Sequence, residues 1–272
     1  MKANTRLPFT DMHCHLLPGI DDGPADWKGS LALARLAVTE GIGTMIATPH
    51  QLGRYESNSA ARVQQLVREA QQRLADADIP LTVLPGADVR IREDLPELVE
   101  RQEVLTLADR RVHLLVELPH DQVMPLGRLL YRLSAAGVCC ILSHPERNGA
   151  LLQDRELMRP WVQQGCLMQV TAGSITGHFG PDVQRMSRRL LEEGLVHLVG
   201  TDAHDVQRRP PALGAAYDLV CRWMGAELAD PLFLTNPEAV AHGDLVAAPL
   251  PIRPARGGIA GWWSTARAVL GG

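Results

Sequence analysis

The pair His13 and His15, in the segment His13-Cys14-His15, is the first place where this chain could do chemistry. Residues at i and i+2 of a strand point to the same side, so two imidazoles at a strand end can converge on one metal ion. Imidazoles and carboxylates then recur along the chain as Asp21-Asp22, Thr48-Pro49-His50, Gly86-Ala87-Asp88, Glu117, Ser143-His144-Pro145-Glu146-Arg147 and Thr201-Asp202-Ala203-His204, the last followed by Arg208-Arg209. Taken singly, a His or Asp at a strand end caps backbone or faces solvent. Repeated at the end of nearly every apolar segment, these residues point to metal binding. These are too many ligands for one ion, so two or three divalent ions are expected. A mixed imidazole and carboxylate set without thiolate suits Mn, Fe or Zn in open, water-holding sites rather than a closed structural zinc. Cys14 is expected to point away, because neighbours on a strand alternate sides.

These groups need elements to hold them, and the pattern supplies strands and helices in alternation. Strands are expected at Phe9 to Cys14, Thr44 to Thr48, Leu81 to Leu84, Val112 to Leu118, Val138 to Leu142, Leu167 to Val170 and Leu195 to Val199. Between them, apolar residues at helical spacing mark a helix capped by Asp26 and ended by Gly41, and another through Val63, Val67, Ala70 and Leu74. Further helices are expected around Leu95 to Arg101, through Leu126 to Leu133, before Gly165, before Gly194, and over about Ala212 to Met224 and Pro237 to His242. Continuous apolar strands linked by helices mean a buried parallel sheet. Seven successive units, with no Gly-rich phosphate loop after the first strand, favour a closed barrel over an open doubly wound sheet. In barrels the active site lies at the C-terminal ends of the strands, where the candidate ligands fall.

With 272 residues, 46% of them hydrophobic, the chain can build a sizeable core. Its net charge of -4 gives no basic footprint for nucleic acid. The five cysteines are odd in number and lack CxxC spacing, which fits reduced thiols in a cytoplasmic protein. No apolar leader precedes Pro8, and no run is long enough to span a membrane. The barrel is expected over 1–246, and residues 247–272, rich in Pro, Gly and Ala, are expected to form a poorly ordered tail carrying Trp262-Trp263.

From Asp11 to Asn236 the chain resembles the PHP (polymerase and histidinol phosphatase) superfamily, on the motifs DMHCHLLPGIDDGP, IATPH, LLVELP, SHPERN, QVTAGS and GTDAHDVQRRPP. It most resembles the bacterial metal-dependent protein-tyrosine phosphatases associated with capsule and exopolysaccharide synthesis. The resemblance implies an α/β fold, a distorted seven-stranded (β/α)7 TIM-like barrel of PHP type, and a trinuclear centre with Mn²⁺ the foremost metal. Carried over, the first ion takes His13, His15 and Asp202 and shares Asp88 with the second. The second adds Glu117 and His144, and the third takes Asp22, His50 and His204. Arg147 and Arg209 match the family's phosphate-binding arginines. In one departure, Asp88 stands where the family usually has Glu, so the carboxylate is one methylene shorter.

The implied chemistry is hydrolysis of phosphotyrosine by a metal-activated hydroxide. Arg147 and Arg209 would grip the phosphoryl oxygens with planar donor forks, unless Arg147 is spent on an ion pair with Glu146 or another carboxylate. Asp22 is read first as a metal ligand and second as the general acid. The implied partner is a phosphotyrosine protein, a tyrosine autokinase of polysaccharide export; monomer and homo-oligomer are both left open. The alternative is a PHP phosphoesterase acting on a small ester such as histidinol phosphate. Cysteine-dependent phosphatases need Arg six residues after Cys, whereas Ile20, Pro145, Glu146, Ala172 and Glu227 occupy those positions here. Amidohydrolases that bridge their metals with a carbamylated lysine on a middle strand find none, since only Lys2 and Lys28 occur. A metal-binding scaffold without activity predicts lost ligand positions, and none is lost. His113, His120, His178, His197 and His242 are assigned no metal.

Overall fold

The computed structural model describes residues 8–246, so the tail expected over 247–272 and its Trp262-Trp263 pair lie outside the described residues. The first strand, β1 (Phe9–Cys14), pairs in parallel with β2 (Ile42–Ala47), which pairs with β4 (Thr82–Pro85). A second parallel sheet runs β3 (His50–Gln51), β5 (Asp88–Arg90), β6 (His113–Glu117), β7 (Cys139–Ser143), β8 (Leu167–Thr171) and β9 (Leu198–Gly200). Helices connect the strands, among them Trp27–Thr39, Ala60–Asp76, Gly127–Ala135 and Pro181–Glu192. None of the described helices is long and apolar enough to cross a membrane.

The α/β class and the parallel pairing match expectation, and the strands divide into two parallel sheets instead of one continuous ladder. The second and third expected strands each stop and restart, at Thr48-Pro49 and at Gly86-Ala87, and the ladder divides into two sheets there. Pro49 has no N–H to give a ladder, which explains the first break. At the second, a Cβ on Gly86 would lie 2.7 Å from the Ile46 Cγ2 atom, so the chain passes too close to its neighbour for any other residue. Single hydrogen bonds cross the breaks: Asp88 N–H donates to the Pro49 carbonyl at 3.2 Å and Thr48 N–H to the Cys14 carbonyl at 2.8 Å. On the far side, Asp202 N–H donates to the His13 carbonyl at 2.8 Å, tying β1 to the end of β9. The last strand also starts later than its apolar run suggests. Leu195 N–H bonds back to the Leu190 carbonyl at 2.9 Å, so the run begins as the buried turn that ends the helix.

Strand alternation sorts the core into two layers. Met12, Ile46, Leu115, Ile141, Leu167 and Leu198 face one another inside, whereas Leu114, Val116, Cys140, Leu142 and Val199 pack outward among the helices. Continuing the inward set by two residues leads from Ile46 to Thr48 and His50, and from Leu115 to Glu117. The apolar inner stack is thus the floor on which the polar groups stand. In β1 the register slips between Asp11 and Cys14, where three steps oppose two on β2. Such a bulge re-aims side chains, and it leaves Met12 in the inner stack while His13 and His15 follow. Helix ends fall where the sequence signals them: Asp26 caps Trp27–Thr39 by accepting from Gly29 N–H at 2.8 Å.

Gly200 is a tight point beneath the polar groups. A Cβ there would meet His13 Cβ at 2.9 Å and Met12 Sδ at 3.3 Å. Gly200→Ala is therefore expected to displace His13 and to destabilise the protein by about 1–3 kcal/mol, the usual range for overpacking. Denaturant melts with and without metal check this, and an unchanged midpoint in both would refute it.

Candidate metal centre

His13 and His15 are both fully buried at the end of β1. His13 Nδ1 is 2.9 Å from Gln169 Oε1, and His15 Nδ1 is 2.7 Å from Asp21 Oδ2. An oxygen acceptor at Nδ1 holds a proton there, so that in the neutral ring Nε2 is the atom that presents a lone pair inward, the arrangement common to metal-bound histidines. Both Nε2 atoms are buried without a hydrogen-bond partner. The Asp88 carboxylate is likewise buried, and neither of its oxygens has a partner. Orphaned buried polar atoms are costly unless something meets them.

The remaining groups close around these atoms. His13 Nε2 and His15 Nε2 each lie 3.3 Å from Asp202 Oδ1. Asp88 Oδ2 lies 3.7 Å from His13 Nε2, 3.6 Å from His50 Nδ1 and 4.0 Å from His144 Nε2. Glu117 lies 3.8 Å from His144 Nε2 and 3.9 Å from His50 Nδ1. Asp22 Oδ1 lies 3.4 Å from His50 Nε2 and 3.3 Å from His204 Nε2. Most of these gaps are too long for good hydrogen bonds. The gaps of 3.3 to 3.4 Å around Asp202 and Asp22 match two ligands on one ion, which at about 2.1 Å each and ordinary bond angles stand roughly 3 to 3.4 Å apart, and those of 3.6 to 4.0 Å around Asp88 and Glu117 are wider than that. The donor set and its unpartnered atoms therefore fit divalent metal.

All nine expected ligands fall into four overlapping groups. His15, Asp22, His50 and His204 form one; His13, His15 and Asp88 another; His13, His144 and Asp202 a third; His50, Asp88 and Glu117 the last. His13, His15, His50 and Asp88 each belong to two groups, more sharing than the family's partition implies. His144 (φ 33°) and Asp202 (φ 52°) both adopt the left-handed region, which non-glycine residues rarely do. The kink at each strand end turns the side chain inward, and such strain concentrates at functional sites.

The electrostatics call for a cation. Burial pushes His13 down to about 3, so its imidazole is neutral and able to ligate. Burial also works against charge on His15, but the Asp21 and Asp202 carboxylates outweigh it and lift His15 to about 10. Burial, and then the charge of Glu117, hold the Asp88 carboxyl well above the usual carboxylate range. Hydrogen bonds from His204 and His50 hold Asp22 well below it.

Arg147 and Arg209 both pair with Asp202 Oδ2, and Arg209 Nη1 also reaches His204 Nε2 at 2.8 Å. The ion pair of Arg147 with a carboxylate is thus present, made with Asp202 and not with Glu146, which is buried and accepts from the Ser174 hydroxyl at 2.6 Å and from Thr171 N–H at 3.0 Å. Arg147 lies over the Phe179 ring at 4.8 Å. Both arginines line a cavity of about 440 Å³ with Asp22, His50, Glu117 and His144. Cys14 points into the outer core, and burial pushes its thiol up, so no thiolate competes as nucleophile.

Three residues that position the site lie inside the motifs DMHCHLLPGIDDGP and QVTAGS, with nothing in the sequence that gives them their roles. Asp21 orients His15 and also accepts the His50 N–H at 3.1 Å. Gln169 orients His13 from β8. Asp11 accepts Thr201 N–H at 2.9 Å and its hydroxyl at 2.5 Å, locking the ends of β1 and β9 together. Asp21 shares its acidic pair with Asp22. Gln169 carries neither imidazole, carboxylate nor thiolate, so it escapes a search for those donors. His120, given no metal, lines the cavity rim.

Residues 9–242 match the family described as capsular polysaccharide synthesis, CpsB/CapC. The chain is 37% identical over 227 residues to tyrosine-protein phosphatase YwqE of Bacillus subtilis, covering 83% of this chain and 88% of YwqE. A solved chain from work on YwqE of Bacillus subtilis and CpsB of Streptococcus pneumoniae, described as unique metal-dependent tyrosine phosphatases, superposes with a TM-score of 0.85 at 35% identity. It covers 90% of this chain and 100% of that one. The lactonase Lmo2620 of Listeria monocytogenes, 15% identical, shares the fold at a TM-score of 0.54, covering 89% of this chain and 95% of its own. With the match running from β1 through the helix Asn236–His242, and so through every element that carries a candidate ligand, the chain belongs to the CpsB/CapC family of capsular polysaccharide synthesis.

Proposed function

We propose that this chain is a metal-dependent protein-tyrosine phosphatase. The observation that carries the reading is the convergence of bare ligand atoms, His13 Nε2, His15 Nε2 and both Asp88 oxygens, next to two arginines that reach an open cavity. Likeness to relatives named tyrosine-protein phosphatases supports it.

His13, His15 and Asp202 would hold one ion, Asp88 would be shared with a second held by Glu117 and His144, and Asp22, His50 and His204 would hold a third. Mn²⁺ is the metal we propose. Bound divalent ions supply Lewis-acid charge to the phosphoryl group and draw the pKa of water towards neutrality. Arg147 and Arg209 bind phosphoryl oxygens with planar forks and spread positive charge where the transition state gathers negative charge. Asp22, close to both His50 and His204, serves as a ligand rather than as the general acid. Gln169 and Asp21 keep the His13 and His15 rings in the ligating tautomer. A tyrosyl leaving group, with a pKa of about 10, leaves with modest help.

Three finer readings go with this. The two sheets are parts of one distorted seven-stranded (β/α)7 barrel of PHP type, filling the domain to residue 246. The substrate is a tyrosine autokinase of polysaccharide export. The meeting takes place in the cytoplasm.

The test is phosphate release from a phosphotyrosyl peptide and from histidinol phosphate, each with Mn²⁺ and with a chelator. Turnover that prefers the peptide and disappears with chelator is expected. Turnover of histidinol phosphate alone would move the protein to small-ester chemistry, and chelator-resistant turnover would overturn the metal reading.

A further inference from the structure

Most residues lining the cavity above the metal-type ligands are charged or polar, and its walls are uneven in a way that bears on what it accepts. Among the described residues lining it, Leu52 and Tyr55 alone present an apolar body without being ligand candidates or basic groups; the others are acidic, basic, imidazole, amide or glycine. An organic group carried in on a phosphate ester has one place to bury a ring, beside Leu52 and Tyr55.

That place is built rather than incidental. The loop following β3 is tied down by buried amides: Asn58 donates to the Ile20 carbonyl at 2.7 Å and to the His50 carbonyl at 2.9 Å, and Gln51 donates to the Asn58 carbonyl at 2.6 Å. Tyr55 N–H closes a turn on the Leu52 carbonyl at 3.0 Å. The Tyr55 ring stacks on the His50 imidazole, with centroids 5.2 Å apart and planes 18° from parallel. The exposed Arg54 guanidinium lies 4.9 Å from the Tyr55 ring centre. Tyr55 is thus a half-buried ring held in place next to a candidate ligand, with an edge on the cavity and a cation beside it. Rings pack edge-to-face or offset with real preference, and a preset wall spares the cost of ordering.

We propose that Tyr55, with Leu52 beside it, is the aryl-binding wall of this cavity, selecting phosphate esters of aromatic alcohols by packing their ring while Arg147 and Arg209 take the phosphoryl oxygens. The proposal deepens the phosphatase reading and rests on its assignment of the two arginines. It makes Tyr55 a determinant of specificity, distinct from the groups that act on phosphorus.

Binding of phenylphosphonate and methylphosphonate to the metal-replete protein, by calorimetry, tests it without turnover. The two probes share a phosphonate and differ by the ring. The wild type is expected to bind phenylphosphonate roughly three- to tenfold tighter. Tyr55→Ala should lose most of that preference, and Tyr55→Phe should keep it. A Tyr55→Ala protein that weakens both probes equally would overturn the proposal, because the ring would then only prop His50. So would an unchanged preference in Tyr55→Ala, or none in the wild type. Binding of neither probe would overturn it together with the phosphoryl assignment. Failure to hydrolyse a phosphotyrosyl peptide, with the ring preference intact, would count against the proposed function alone.

Discussion

The Asp88→Asn protein is expected to lose about a thousandfold or more in kcat/KM and most of its bound metal, and yet, with metal removed, to melt above the wild type at pH 8. Asp88 stands where three histidines converge, with His13, His50 and His144 all within 4.0 Å of one oxygen. An amide there keeps the shape and removes the charge that two ions would share. The gain in stability follows from the same burial. Desolvation first, and then the Glu117 carboxylate, raise the folded-state pKa of Asp88 above its ordinary value. The folded protein therefore holds this proton where the unfolded chain has released it. Its contribution is fully present below the unfolded carboxylate pKa of about 4 and is lost as pH rises through the raised folded value. The amide of the variant cannot ionise, so the Asp88→Asn protein escapes that loss. Asp11, whose pKa burial raises to about 6, titrates alike in both proteins and cancels in the difference. Melting both proteins in chelator at pH 5 and pH 8 gives the answer. A gap that does not widen towards pH 8 would sink the electrostatic argument, and near-normal activity would sink the assignment of Asp88 as a ligand.

Replacing Arg147 by Met is expected to cost about a hundredfold or more in kcat/KM in the metal-replete enzyme, the range found when one donor to a developing oxyanion is removed. Arg209→Met should behave similarly. The double variant should fall short of the product of the two, because both guanidiniums grip one group and do not act independently. Arg147→Lys should recover only part, since an ammonium lacks the planar fork. The competing account is that Arg147 merely neutralises Asp202, with which it pairs in this structure. Bound metal would then take over that task, and the loss of Arg147 would matter only to the metal-free protein. Steady-state kinetics at saturating Mn²⁺ with metal content measured alongside separate the two. A fully metallated Arg147→Met enzyme within about fivefold of wild type would refute the phosphoryl role.

What could be read from the chain alone was whatever depends on neighbours in sequence. Asp26 caps its helix because its carboxylate reaches Gly29 N–H three residues on, a local geometry. The buried strands announce themselves by continuous apolar runs, and the candidate ligands by donor type and by falling at strand ends. Even Cys14 is settled locally, since it sits between two histidines that face the other way. The tertiary structure decided what depends on partners far along the chain. Gln169 meets His13 across 156 residues, and Arg147 meets Asp202 across 55. Neither pairing leaves a period or spacing to detect. The division into two sheets was also beyond local reading, because it turns on Pro49 and Gly86 meeting neighbouring strands. The same holds for Tyr55, an unremarked loop residue until the fold laid its ring on His50. Secondary structure and donor chemistry are written in short-range pattern, whereas the orientation of each donor is set by side chains that only folding brings together.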